Sequence, residues 1–116
     1  MKLTLATRTQ DGILVVHCRG RIVFGEESSL LRDIVRKAVS ENNRIVLNLG
    51  EVNYVDSCGL GTLMELRITA QNAGGTIKLT SLTKPVSDLL KITKLITVFD
   101  VSKSEADAVE SFHKAA

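Results

Sequence analysis

Asn43-Arg44-Ile45-Val46-Leu47-Asn48-Leu49-Gly50-Glu51-Val52-Asn53-Tyr54-Val55-Asp56-Ser57-Cys58-Gly59-Leu60-Gly61 is the stretch from which the rest of the chain can be read. Ile45 to Leu49 is a short β-branched and aliphatic run, the pattern of a buried strand. Gly50 to Asn53 reads as a turn-rich break, after which Tyr54-Val55 returns toward the core. From Asp56 onward the spacing becomes helical. A small hydroxyl just ahead of a helix accepts a bond from the free amides of the first turn, so Ser57 is expected to cap the helix, exposed at its mouth, with Asp56 beside it. The same amides and the helix dipole favour negative charge at that spot. Gly59 and Gly61 would let a partner backbone approach closely.

Toward the N-terminus, Leu3, Leu5 and Thr7 alternate with Lys2, Thr4 and Ala6 as in a half-buried edge strand. Gln10-Asp11-Gly12 carries a hairpin signal, and Ile13 to Cys18 is the returning strand, ended by Gly20. Gly20 to Gly25 is expected to be a loop. Glu26 and Glu27 then open a helix, where acidic side chains suit the dipole. Leu31, Ile34, Val35, Ala38 and Val39 form its apolar face, opposite Arg32, Asp33, Arg36 and Lys37.

Toward the C-terminus, Leu60, Leu63, Met64 and Ile68 make a helical stripe widened by Leu66, Ala70 and Ala73. Ala73-Gly74-Gly75 stops that helix. Thr76 to Ser81 alternates as a strand. Pro85 stands at the first position of a short helix with Val86, Leu89 and Leu90 inward, closed by Thr93-Lys94. Leu95 to Phe99 reads as a short last strand. Ser102-x-x-Glu105 has the form of a capping box, followed by Ala106, Val109 and Phe112 on one helical face. Strands alternating with helices imply an α/β fold with a mixed, mostly parallel sheet of about five strands, an N-terminal hairpin and packed helices. Residues 1–116 are read as a single domain without linker or repeat.

The 116 residues are enough for a core without metal or disulfide support. A net charge of +2 with no basic run, and four aromatic residues, gives no nucleic-acid signature. No stretch approaches the roughly 18 apolar residues of a membrane span, and the N-terminus lacks the apolar segment of a signal peptide. Cys18 and Cys58 have neither the number nor the spacing of a disulfide framework or a metal site, so a reduced, cytoplasmic domain is expected. Cys18 reads as a small buried hydrophobe, Met64 as core filler, and His17 as a packed or surface strand residue rather than a catalytic base.

Three roles compete for Asp56-Ser57-Cys58. One is a cap and glycine turn with no regulation. Another is a thiol nucleophile at Cys58, its pKa lowered by the helix end; that chemistry needs a base and an orienting group, and besides His17 the only histidine is His113 in the C-terminal helix. The third is a phosphoswitch at Ser57. Gly59-Leu60-Gly61 lacks the G-x-x-x-x-G-K-[ST] pattern of a phosphate-cradling loop. No catalytic residue, metal or cofactor is expected, and the chain is read as a non-enzyme.

Val55-Asp56-Ser57-Cys58-Gly59-Leu60-Gly61, following Ile45 to Leu49 and leading into a helix, resembles the phosphorylation motif of STAS-domain anti-sigma factor antagonists, D-S-[S/T/A]-G-L-G. The resemblance extends over nearly the whole chain and implies the STAS fold. It also implies that Ser57 is the phosphorylated residue, with Cys58 where relatives often carry a second hydroxyl. Partner contacts are implied for Asp56, Ser57, Cys58, Gly59, Leu60 and Gly61, and for Arg21 and Val23 in the neighbouring loop, Val23 standing where many relatives have an acidic residue. The implied partners are an anti-sigma factor that is itself an ATP-using serine kinase and a metal-dependent serine phosphatase. A different role in the same family, as adaptor subunit of a membrane lipid transporter or signalling complex, is the alternative.

Overall fold

A strand covered on both sides needs apolar residues at consecutive positions, and Ile45-Val46-Leu47 meets that requirement. In the computed structural model, which describes residues 3–42 and 44–114, Ile45 and Leu47 face one hydrophobic cluster and Val46 faces another across the sheet. Met1, Lys2 and Asn43 of the sequence reading lie outside the described residues. The elements run β1 (Thr4–Gln10), β2 (Ile13–Ile22), α1 (Glu26–Glu41), β3 (Arg44–Val55), α2 (Ser57–Asn72), β4 (Thr76–Thr80), α3 (Lys84–Ile92), a 3₁₀ turn (Leu95–Thr97), β5 (Asp100–Ser102) and α4 (Glu105–Lys114). The five strands lie side by side in chain order; β1 and β2 are antiparallel and every later pair is parallel. The α/β class and the N-terminal hairpin are therefore as expected. Asp11 and Gly12 both take positive φ (54° and 78°), the turn that matches the twist of a two-residue hairpin.

Helices α1, α2 and α3 bury Leu31, Val35, Leu63, Leu66, Ala70, Val86 and Leu90 against one face of the sheet. Helix α4 covers part of the other with Ala108 and Val109, over Ile13, Val15 and Val46. It is clamped there by polar contacts. Lys78, nearly buried, donates to Ser111 Oγ (2.6 Å), pairs with Asp100 (3.1 Å) and sits 4.5 Å from the Phe112 ring centre. Glu105 accepts from Arg8 and from Asn48 Nδ2 (2.8 Å). The Arg8 bond is the main reason the Glu105 carboxyl is held below its usual range, against the opposing effect of burial.

Several boundaries differ from the sequence reading. Gly50 to Asn53 is not a break: β3 runs through it with register shifts against β2 between His17 and Arg19 and between Gly20 and Arg21. Each shift adds one residue on β3, so Leu49, Val52 and Val55 all return to the core side although they are three apart. Strand β2 likewise extends to Ile22, which reduces the expected Gly20–Gly25 loop to Val23, Phe24 and Gly25. Thr7 is exposed. The buried face of α2 is Gly59, Thr62, Leu63, Leu66 and Ala70, while Ile68 is half exposed. Pro85 is the second residue of α3, after Lys84.

Leu95 to Phe99 is no strand. Lys94 turns left-handed (φ 62°), Leu95–Thr97 winds as a 3₁₀ turn whose Leu95 carbonyl accepts from Val98 and Phe99, and pairing resumes only at Asp100. Ser102 is not a cap. Ser104 is, accepting from the Asp107 amide (3.1 Å), because Glu105 is already committed to Arg8 and Asn48. With the cap two residues later, Ala108 is buried and Ala106 is exposed.

Lys94 holds a conformation that favours glycine. Lys94→Gly is expected to stabilise the protein by about 1 kcal/mol, read as a higher urea midpoint at an unchanged slope. A lower midpoint would mean that the lysine side chain contributes more than the strain removes.

Candidate functional site

Strand β3 ends at Val55, and the Asp56 amide then donates to the Ile22 carbonyl (3.3 Å), tying the start of α2 to the end of β2. Asp56 is extended (φ −88°, ψ −179°), the geometry of a residue about to enter a helix. Its Oδ1 accepts from the Gly59 amide at 2.7 Å, its Oδ2 from the Phe24 amide at 3.1 Å, and its carbonyl from the Leu60 amide at 2.8 Å. Asp56 is thus the cap of α2, and Ser57, expected in that role, is the first helical residue. The Gly59 amide is the main reason the Asp56 carboxyl lies below its ordinary range. Desolvation opposes the shift, while the Phe24 and Cys58 amides and the Arg21 charge reinforce it.

Because Asp56 satisfies the first turn, the Ser57 hydroxyl makes no hydrogen bond with any described residue, and Ser57 is exposed. Cys58 is an exposed free thiol, whereas Cys18 is fully buried and burial pushes its thiol up to about 12. The two glycines have opposite surroundings. A Cβ on Gly59 would lie 1.9 Å from the Ile22 carbonyl oxygen, so only glycine lets the first turn of α2 rest on β2. A Cβ on Gly61 would meet nothing within 4 Å, so no internal contact requires glycine there. Leu60 is partly buried against the core.

The two loop-side residues divide as well. Arg21 belongs to β2 and acts on Asp56 through its charge. Val23 is half-buried and its carbonyl accepts from the Ser28 hydroxyl, which shapes the entry to α1. The structure therefore brings Arg21, Val23 and all of Asp56 to Gly61 into one neighbourhood, with Gly59 facing inward.

Sequence reasoning missed Phe24 and the Arg32, Thr62 and Glu65 cluster as neighbours of the site. Phe24 is 78% exposed although its amide is held by Asp56. It lines an open groove with Gly25, Ser29, Leu30 and Cys58. Arg32, taken only as the polar side of a helix, bonds Glu65 (2.6 Å) and the Thr62 hydroxyl (3.2 Å), and Thr62 in turn donates to the Cys58 carbonyl (3.0 Å). An aromatic residue between a strand and a helix, in a chain with four aromatics, was the available signal for Phe24.

Neither histidine stands beside Cys58. His17 points to the sheet face away from α2, where Nε2 lies 3.1 Å from Glu51 Oε1 but off the axis of a hydrogen bond, and His113 is on α4. Among the described residues no cluster of three or more His, Cys, Asp or Glu side chains could hold a metal ion, and no helix is long and apolar enough to cross a membrane.

A family model, the STAS domain, matches residues 4–108. BtrV of Bordetella bronchiseptica, provisionally named an anti-sigma factor antagonist, is 25% identical over 115 residues, 99% of this chain and 97% of its own. The anti-sigma F factor antagonist of Paenibacillus polymyxa is 24% identical over 111 residues, 94% of either chain. Among solved structures, the Bacillus cell fate determinant SpoIIAA in its phosphorylated form superposes with a TM-score of 0.72 at 13% identity, covering 94% of this chain and 99% of that one. The last likeness speaks for the fold.

The glycine environments are separable by mutation. Gly59→Ala should destabilise the protein by about 3 kcal/mol through overpacking, while Gly61→Ala should stabilise it by about 1 kcal/mol through helix propensity. Urea unfolding measures both. Equal losses at the two positions would refute the division.

Proposed function

The chain belongs to the STAS domain family, and we propose that it is an anti-sigma factor antagonist switched by phosphorylation of Ser57. The observation that carries this reading is the exposed, unengaged Ser57 hydroxyl at the first position of α2, left free because Asp56 caps the helix. The names of the Bordetella and Paenibacillus relatives support the same role. The unphosphorylated form docks on an anti-sigma factor and so releases a sigma factor. Transfer of a γ-phosphoryl group from ATP to Ser57 Oγ ends the docking.

Phosphorylation adds about −1.5 to −2 charges. At the start of α2 those charges meet the positive end of the helix dipole, so the fold accommodates them. In the interface they meet a partner surface that must give up water to approach. Moving a partner from mostly bound to mostly free requires about 3–5.5 kcal/mol of differential affinity, within the range for a desolvated, unpaired charge. The kinase is the anti-sigma factor itself, and a metal-dependent serine phosphatase resets the switch; ATP and metal belong to those enzymes. Asp56, Ser57, Cys58, Leu60, Gly61, Arg21 and Val23 form the docking surface, and Gly59 contributes by seating the helix. The chain works in this way as one cytoplasmic domain without catalytic activity of its own.

Incubation with the cognate anti-sigma factor kinase and labelled ATP should place one phosphate on Ser57 and none on Ser57→Ala. Ser57→Asp should weaken binding to that kinase at least tenfold, about 1.4 kcal/mol, with a melting temperature close to wild type. Label retained in Ser57→Ala sinks the assignment, and so does equal calorimetric affinity for Ser57→Asp and wild type. Recovery of a transporter ATPase instead of a kinase in a pull-down would favour the adaptor role.

A further inference from the structure

Two adjacent side chains at the start of α2, Asp56 and Ser57, are both of the type that caps helices. Had Ser57 taken the role, its oxygen would be turned onto the amides of the first turn and away from any incoming phosphoryl group. The carboxylate takes it instead. One oxygen holds Gly59 (2.7 Å), and the other holds the Phe24 amide (3.1 Å), which lies 32 residues earlier in the chain. The Asp56 amide is itself spent on Ile22 (3.3 Å). A single residue thereby fixes the helix end and the loop against each other.

The Phe24 side chain gives this arrangement a consequence outside the fold. Its backbone is pinned, yet its ring is 78% exposed. A large apolar ring held on an anchored backbone loses little freedom when a partner covers it, which is what makes aromatic residues effective anchors in interfaces. Ser57 and Phe24 are therefore presented together, and the part common to both is the Asp56 carboxylate.

Resting on the phosphoswitch reading of Ser57, we infer that Asp56 is a positioning residue for phosphoryl transfer: it keeps the Ser57 hydroxyl free and holds Phe24 beside it as an anchor for the kinase. In the transfer, the bond from Ser57 Oγ to phosphorus forms as the bond to ADP breaks, and the hydroxyl proton passes to a base on the kinase. Asp56 is engaged with two amides and is not that base.

The chemistry of the side chain supplies the test. A carboxylate accepts on both oxygens, an asparagine amide on one, an alanine on none. Asp56→Asn can keep the cap to Gly59, since asparagine caps as well as aspartate, but it cannot also hold Phe24. Phosphorylation kinetics with the cognate anti-sigma factor kinase and ATP are expected to show KM for the chain raised about tenfold in Asp56→Asn, with the melting temperature lowered only by the loss of the Phe24 bond. Phe24→Ala should raise KM by a similar factor, and combining the two changes should add little. Asp56→Ala, which loses the cap to Gly59 as well, should lower the melting temperature further. A purely structural role would make KM follow stability, so that asparagine restores both.

A readout without any kinase runs alongside. In an amide NMR titration from pH 6 to pH 2, the Phe24 and Gly59 resonances should move with one shared midpoint below the ordinary aspartate value of about 3.9. Asp56→Asn should abolish that movement. Different midpoints, or a Phe24 amide that does not move, overturn the shared-carboxylate arrangement. Wild-type KM in Asp56→Asn overturns the positioning role alone, leaving the switch intact. Failure of the kinase to label wild type overturns the switch, and with it any part for Asp56 in phosphoryl transfer.

Discussion

The carbonyl oxygen of Ile22, at the end of β2, is approached from two directions at once. The Asp56 amide donates to it, and the first turn of α2 sits so close that a Cβ on Gly59 would be 1.9 Å away. This contact sets the angle at which α2 leaves the sheet and brings the Val23–Gly25 loop within reach of the Asp56 side chain. The rest of the neighbourhood follows from it. With the helix seated there, its buried face is Gly59, Thr62, Leu63, Leu66 and Ala70, and Ser57, Cys58 and Gly61 are turned to solvent. The exposed residues of the site owe their presentation to a buried glycine two positions on.

The parts of the fold that could be read from the sequence are those where one local preference dominates. Both-sided burial of β3, the Asp11-Gly12 hairpin and the amphipathic α1 each carry a period or turn signal that tertiary contacts leave undisturbed. The misread parts are those where a long-range partner decides. Gly50 to Asn53 has turn composition, yet pairing with β2 keeps it in the sheet, with two bulges absorbing the difference. Leu95 to Phe99 has strand composition, yet the left-handed turn at Lys94 delays pairing until Asp100. Glu105 looks like half of a capping box until Arg8, 97 residues away, claims it.

The site shows the same contrast at closer range. That Ser57 stands exposed at a helix mouth was legible, since a short hydroxyl residue followed by glycines allows few other outcomes. Which of two adjacent capping residues does the capping was not legible, because Asp56 and Ser57 are equivalent by type. The choice is settled by Phe24, whose amide comes from another segment and finds a second oxygen only on the carboxylate. Arg32 was hidden for a similar reason: its position on α1 is that of a solvated residue, and only the packing of α1 on α2 turns it toward Thr62 and Glu65.

Gly61 carries the last step. A glycine inside an exposed helical turn weakens the helix by about 1 kcal/mol relative to alanine, and nothing within the fold requires it, since the space above it is open. It stands four residues after Ser57, so the two share one face of α2 a turn apart. Any side chain there would rise beside the Ser57 hydroxyl. A glycine instead leaves the helix backbone bare next to the Ser57 hydroxyl, which is what the proposed docking of a partner on that turn requires. Gly59 therefore answers to Ile22 inside the domain, whereas Gly61 answers to no internal contact and is accounted for only by the proposed docking face.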